Sequence, residues 1–340
     1  MTDVLRNNWF VVLIAVIIIC FIGYFIYDTN KDNVSAKSSN NEQVVASIDK
    51  DDITAKDLYD ESAPYDGSTI YNMYKNAVVD QSIETTKDLK KQANTLEANI
   101  KSNASSQSDD YESTLTSELA KYGYSSFDDL NDYCLTSVKE KEMNKRYITK
   151  HFEDLKTAWE TKSPRTVSII KMDVSDADNL TETEAKKKSN IETALTKESF
   201  ADVAKAFSED SNTANKKGFA GYIDTDSTTS TSSSSTVPAD VATAAISLQK
   251  GETSDWITVT TSSGTSLYKV YVKETDSSKI FNAKNDTVAN QALYAILNSD
   301  SSLSYKILKS YAKKLDIKFN DKSTKKKFDN YVETTYGGDQ

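Results

Sequence analysis

Residues Phe200 to Ile223 read FADVAKAFSEDSNTANKKGFAGYI. Phe200, Val203, Ala204 and Phe207 fall at i, i+3, i+4 and i+7, which lays one apolar stripe along a short helix. Ser199 stands before it as a candidate N-cap. After it, Ser208-Glu209-Asp210-Ser211-Asn212 is a run of short polar side chains that compete for backbone hydrogen bonds and favour a loop. Gly218 and Gly221 then flank Phe219-Ala220, the placement expected where a chain turns tightly into a strand or a backbone approaches a neighbour.

The flanks extend this order. Thr166 to Met172 lies upstream and Val241 to Ser254 downstream. β-branched and aromatic alternation marks strands at Trp256–Val259 and Leu267–Val272. Asp226 to Thr236, DSTTSTSSSST, is a low-complexity insertion expected as a flexible surface loop. The order resembles the parvulin family of peptidyl-prolyl isomerases, in which an apolar helix, a Phe/Tyr-Ser-x-Asp (or Cys) element and a Gly-x-x-Gly turn follow one another. The resemblance covers roughly a third of the chain, with Thr166 to Met172 as the first strand, Val241 to Ser254 as the second helix and following turn, and Ser263 to Val270 as the last strand, and implies a small antiparallel sheet with flanking helices over residues 164–275.

The chain has 340 residues, 38% apolar and 27% charged, with a net charge of −10. That length suits two or three domains. A negative chain without a basic stripe repels phosphate backbones, so nucleic acid is not an expected partner. Lys186-Lys187-Lys188 and Lys325-Lys326-Lys327 read as short solvated helix faces. Cys20 and Cys134 stand in unlike surroundings and are not expected to pair; Cys134 reads as a small buried residue. With His151 the single histidine, His-based metal sites and Ser-His-Asp triads are hard to build in one subunit. No metal and no cofactor are expected, and His151 reads as a surface helix residue.

Trp9 to Tyr27, WFVVLIAVIIICFIGYFIY, is uncharged for 19 residues and spans roughly 28 Å as a helix, close to the hydrocarbon thickness. It reads as a retained transmembrane anchor with aromatic residues at both interfaces, rather than a cleaved signal, because no small-x-small site follows. Residues 1–8 are then a cytoplasmic tail, residues 28–43 a polar tether, and the remainder extracytoplasmic. Val44 to Ile48 is a strand candidate, followed by a turn over Asp49–Asp52 and a helix opened at Thr54 and Asp57. Helical spacing continues from Tyr71 to Ile100 and from Tyr111 to Trp159, broken at Gly123 and restarted at Ser126. After Pro164 and the parvulin-like segment it returns from Asn282 to Phe328, with Leu315–Phe319 alternating as a short strand would.

The opening VVASIDKDDITAKDLYDE and the closing YAKKLDIKFNDKSTKKKFDNY resemble PrsA- and SurA-type extracytoplasmic foldases. That resemblance implies an α+β chain in which residues 44–163 and 276–340 form one helical chaperone domain, with the parvulin-like domain inserted between them.

Prolyl isomerisation breaks no covalent bond; its barrier of roughly 18–20 kcal/mol falls when the amide loses double-bond character. In active parvulins two histidines, an Asp or Cys, a Ser/Thr and an apolar trio line the groove. By family position Asp210 takes the Asp/Cys place, and Ser168, Thr261 and Ser263 the hydroxyl places. The first histidine position holds Ile169 and the second Ser266. Ala220, Val237 and Val241 replace the apolar trio with smaller side chains, and Tyr222 joins them as a substrate-binding candidate. Each lost CH₂ of contact removes roughly 0.8 kcal/mol. The plainer readings are a loop carboxylate for Asp210, turn residues for Thr261 and Ser263, and strand core for Tyr222.

The function these residues imply is a membrane-anchored foldase that assists exported proteins, with reduced or no isomerase activity. Its partners would be unfolded exported polypeptides and, through residues 9–27, the bilayer; a homodimer is left open. An active isomerase and an anchored surface scaffold are the alternatives.

Overall fold

The computed structural model describes residues 38, 39, 42–48, 51–54, 66–229, 236–315 and 317–337. They divide into two compact units, one of residues 1–67 with 321–327 and one of residues 68–320 with 328–340.

In the first unit β1 (Ser38–Ser39), β2 (Glu42–Ile48) and β3 (Asp51–Thr54) form an antiparallel sheet. The strand expected at Val44–Ile48 is present and starts earlier. Asp51 and Asp52, expected in a turn, and Ile53 and Thr54, expected to open a helix, pair instead with Ile48, Ser47, Ala46 and Val44 in that order. Ladder hydrogen bonds take the backbone groups that a helix cap would have used. Part of the expected tether is likewise paired, Ser38 with Gln43 and Ser39 with Glu42. The span at residues 9–27 and the expected helix beyond Thr54 lie outside the described residues; among those described, no helix is long and apolar enough to cross a membrane.

The second unit, from Ser68, opens within α1 (Gly67–Ser82) and continues with α2 (Lys87–Ser105), α3 (Tyr111–Ala120), α4 (Leu130–Lys150) and α5 (Phe152–Glu160). Thr86 caps α2 by accepting from the Leu89 N–H at 3.2 Å. Ser126 and Asp129 form a reciprocal capping box ahead of α4, as the restart at Ser126 suggests. Leu130, Cys134, Val138, Ile148 and Trp159 are buried, as their spacing requires.

A four-stranded antiparallel sheet follows, ordered β5 (Phe219–Ile223), β4 (Arg165–Val174), β7 (Gly264–Glu274), β6 (Ile257–Thr261). β4 is buried at nearly every position, the mark of a strand covered on both faces. On one face α6 (Glu182–Leu195) and α7 (Phe200–Phe207) cover Ile170, Met172 and Leu267. On the other α8 (Ala239–Ile246) covers Val167, Ile169, Val270 and Val272. The insertion is not wholly a loop: Thr225–Thr229 forms a 3₁₀ turn, held where Asp224 accepts from the N–H groups of Asp226 and Ser227.

The chain then returns to helices, α9 (Ser277–Phe281), α10 (Asp286–Ser299), α11 (Leu303–Ala312) and α12 (Lys322–Tyr336). Phe281 stacks on Phe152 with ring centres 4.9 Å apart. Tyr71 packs against Tyr305, Phe328, Tyr331 and Tyr336. Helices before and after the sheet thus share a core. Among the described residues of the stretch expected as a short strand, Leu315 and Ile317 to Phe319, none is in a strand: Phe319 instead stacks on Tyr74 at 5.9 Å, a contact that needs no strand partner.

Candidate parvulin-type groove

The helix α7 is built as its sequence dictates: the Ser199 hydroxyl accepts from the Asp202 N–H at 3.2 Å, and Phe200, Val203 and Ala204 face the sheet. The path of the chain after α7 is set by β4. β5 pairs with β4 only from Arg165 to Ser168. Beyond that point the loop from Ser208 to Gly218 takes its place along the edge. The Ile169 N–H donates to the Gly218 carbonyl at 2.8 Å, the Glu209 N–H to the Lys171 carbonyl at 2.9 Å, and the Asp173 N–H to Glu209 Oε2 at 2.6 Å. Gly218 sits at φ 75°, and a Cβ there would lie 2.6 Å from Ala204 Cβ and 2.7 Å from the Ile169 carbonyl. Close approach, not flexibility, demands that glycine.

The loop delivers Asp210, partly exposed, beside the sheet. Its carboxylate accepts from the Thr213 hydroxyl at 2.5 Å and the Asn212 N–H at 3.2 Å, so it caps its own turn. Cross-strand neighbours Lys171 and Tyr268 stand near it. Burial pushes the Tyr268 phenol up, the Lys171 ammonium opposes this, and the Asp210 and Asp173 charges add to the rise.

Ser266, at the second histidine position, is buried and donates to Asp173 Oδ1 at 2.7 Å, while Lys171 Nζ reaches the same oxygen at 2.9 Å. Burial works against ionisation of Asp173, but Lys171 and Ser266 outweigh it and hold the carboxyl below its usual range. A Lys-Asp-Ser network therefore stands where the family places an imidazole.

The first histidine position is apolar throughout. Ile169 is 0% exposed, Val241 0% and Val237 3%, and with Ala220 they pack into one cluster with Tyr268, Val259 and Val270. Three of the positions expected to line a groove meet in a buried core, and the fourth, Ala220, is half-buried against it. The remaining candidates do not join them. Strand alternation places Ser168, buried, on the face of Ile170 and Met172. Thr261 and Ser263 are exposed at the β6–β7 turn, where Thr261 Oγ1 accepts from the Ser263 N–H at 3.2 Å. Tyr222, expected as a substrate contact, has its ring against Trp159; its hydroxyl accepts from the Trp159 indole and donates to Asp224.

Sequence reading missed Lys171, Asp173 and Tyr268. The signal was there: Lys171 and Asp173 alternate with Ile170 and Met172, so the two polar residues share the face of Ile169.

A wider cleft of about 890 Å³ lies among α2, α4 and α10, lined by Leu89, Gln92, Val138, Lys141, Asn290 and Tyr294 among others. Tyr294 is 54% exposed, the most exposed large hydrophobic side chain among the described residues.

Residues 169–271 match the rotamase family, the PPIC-type PPIase domain. Among solved structures the chain is similar to the foldase PrsA of Streptococcus pneumoniae at 20% identity, over 86% of this chain and 99% of that one, with a TM-score of 0.39. It is similar to PrsA of Bacillus subtilis at 23% identity, over 84% and 97%, with a TM-score of 0.41. A SurA-like chaperone structure from Campylobacter jejuni aligns at 17% identity, over 82% and 100%, with a TM-score of 0.22. No curated protein matches the sequence.

Proposed function

We propose that this chain, which carries a parvulin-type peptidyl-prolyl isomerase domain, is a membrane-anchored extracytoplasmic foldase that holds exported polypeptides and isomerises prolyl bonds little or not at all. The observation that carries the second half is the burial of Ile169, Val237 and Val241 in one cluster, with half-buried Ala220 packed against it. An isomerase must seat a proline ring in an apolar cavity and favour the twisted amide. Here the chain's own side chains occupy that volume, and α8 would have to move for a ring to enter. Asp210 spends its carboxylate on its own turn, and Ser266 spends its hydroxyl on Asp173.

The holding role is assigned to the helices. The cleft among α2, α4 and α10 mixes Leu89, Val138 and Tyr294 with lysine, glutamine and asparagine side chains. Such a lining suits brief, sequence-tolerant contact with an extended chain more than tight capture of one ligand. Anchoring rests on the uncharged stretch Trp9–Tyr27.

Aggregation of a chemically denatured client, followed by light scattering with and without the full-length protein in mild detergent, tests the holding role. Suppression near equimolar protein, weakened in Tyr294→Ala, is the expected result. Absence of suppression would contradict it and favour the scaffold reading.

A further inference from the structure

Val138, Lys141 and Lys145 of α4 lie at i, i+3 and i+7 and line the cleft of about 890 Å³ together with Leu89 and Lys91 of α2 and Tyr294 of α10. The lining holds three lysines and three acids, so its formal charge balances. The acids are already provided for. Glu142 pairs with Arg146 at 2.7 Å, and Asp88 accepts from Gln92 Nε2 at 2.8 Å. Asp88 and Asp286 each stand in the first turn of a helix, where the macrodipole favours negative charge. The lysines are not provided for: among the described residues, Lys91, Lys141 and Lys145 have no ion pair and no hydrogen-bond partner for their ammonium groups. Glu140, next to Lys141, is spent on Lys75 at 3.0 Å. Lys141 is half-buried, and it and Lys145 are like charges one turn apart, a placement that weakens a helix facing water and suits one facing negative charge.

We propose that this cleft selects client segments in which a large apolar side chain is followed by two acidic ones two residues apart; the inference rests on the holding role given to the cleft above. Four residues of helix rise about 6 Å, and side chains at i and i+2 of an extended chain share one face about 6.8 Å apart. Two client carboxylates can therefore meet Lys141 and Lys145 together, while the apolar side chain lies against Leu89, Val138 and Tyr294. Lys91 adds a third ammonium group from α2. A compact charge on a flexible stem tolerates many sequences, where a guanidinium fork would select one geometry. The chain as a whole carries −10 and repels such a segment, so a preference for it must arise locally.

Fluorescence anisotropy with the full-length protein in an uncharged detergent, at low salt, tests this. The probes are labelled Gly/Ser peptides carrying Leu-Ser-Glu-Ser-Glu, and counterparts with Gln or Lys in place of both Glu residues. The Glu peptide should bind several-fold more tightly than the Gln peptide and the Lys peptide most weakly, with the differences gone at about 0.5 M salt, where the screening length falls to a few ångströms. Lys141→Gln with Lys145→Gln should bring the Glu peptide down to the affinity of the Gln peptide. Lys141→Glu with Lys145→Glu should invert the order in favour of the Lys peptide, which a merely unfolded variant would not do. Lys87→Gln with Lys90→Gln makes the same change of net charge at exposed positions of α2 outside the cleft lining, and should leave the preference in place. Equal binding of the Glu and Gln peptides overturns the proposal, as does a preference that survives Lys141→Gln with Lys145→Gln, or failure of all three peptides to bind. Client aggregation judges the holding role separately: suppression there without acid preference here refutes the selection and keeps the role, whereas absence of suppression refutes the role itself.

Discussion

Trp159 donates its indole N–H to the Tyr222 hydroxyl at 2.9 Å, and that hydroxyl donates in turn to Asp224 Oδ2 at 2.8 Å. Trp159 is 0% exposed and its ring stacks on Tyr222 with centres 6.4 Å apart. Thr225 adds a backbone hydrogen bond to the Lys162 carbonyl at 2.9 Å. The last helix before the sheet is thereby fixed to β5, so the parvulin-type segment is fastened to the helices rather than hung from them.

Tyr222→Phe leaves the Trp159 indole without its acceptor in a buried setting, and should destabilise the protein by about 1–3 kcal/mol in urea denaturation followed by tryptophan fluorescence. A double-mutant cycle with Trp159→Phe should give a coupling above roughly 0.5 kcal/mol. Additive effects would show that the bond contributes nothing.

Two glycines with similar backbone angles should behave differently. Gly218→Ala adds a clash with Ala204 and the Ile169 carbonyl to the cost of φ 75°, and should lose more than about 2 kcal/mol. Gly251 has φ 89° but nothing within 4 Å of a built Cβ, so Gly251→Ala should cost only about 1 kcal/mol. Equal losses in thermal denaturation would refute the close-approach role.

Arg165, 7% exposed, donates from Nη1 to the Ala245 and Leu248 carbonyls at 2.5 and 2.9 Å and from Nε to the Ser163 carbonyl at 3.0 Å. It closes the C-terminal end of α8, and burial pushes its guanidinium pKa down. Arg165→Met should cost roughly 1.5–3 kcal/mol. Arg165→Lys should fall between, because an ammonium cannot span the same carbonyls.

Glu184 accepts from the Thr181 and Ser175 N–H groups, each at 2.7 Å, and these bonds hold its carboxyl down to about 2. The unfolded value is about 4.3, so its contribution is present above that pH and is lost as pH falls through about 2. Glu184→Gln should flatten the acid limb of the stability curve across that window, measured by urea midpoints from neutral pH downward. An unchanged limb would refute the linkage.

The helix α7 and the individual strands were legible because their patterns are local, although the pairing of β4 with β7 is not. The i, i+3, i+4, i+7 stripe from Phe200 needs no distant partner to be read, and the glycines at 218 and 221 mark the turn themselves. Ile317 and Phe319 misled because alternation describes a strand only where an edge is offered, and Phe319 found Tyr74 and Phe328 instead. Ile53 and Thr54 failed the other way, drawn into pairing by Ala46 and Val44. Resemblance could name Ile169, Ala220, Val237 and Val241, but not that they would close over one another: that depends on side chains meeting across some seventy residues of sequence.

The most direct test is cis-to-trans conversion of a prolyl tetrapeptide, timed with the full-length protein in mild detergent. With Ile169, Val237 and Val241 filling the proline site, the rate should equal the uncatalysed rate, and Asp210→Ala should not change it. Concentration-dependent acceleration that Asp210→Ala abolishes would contradict the closed-groove reading outright.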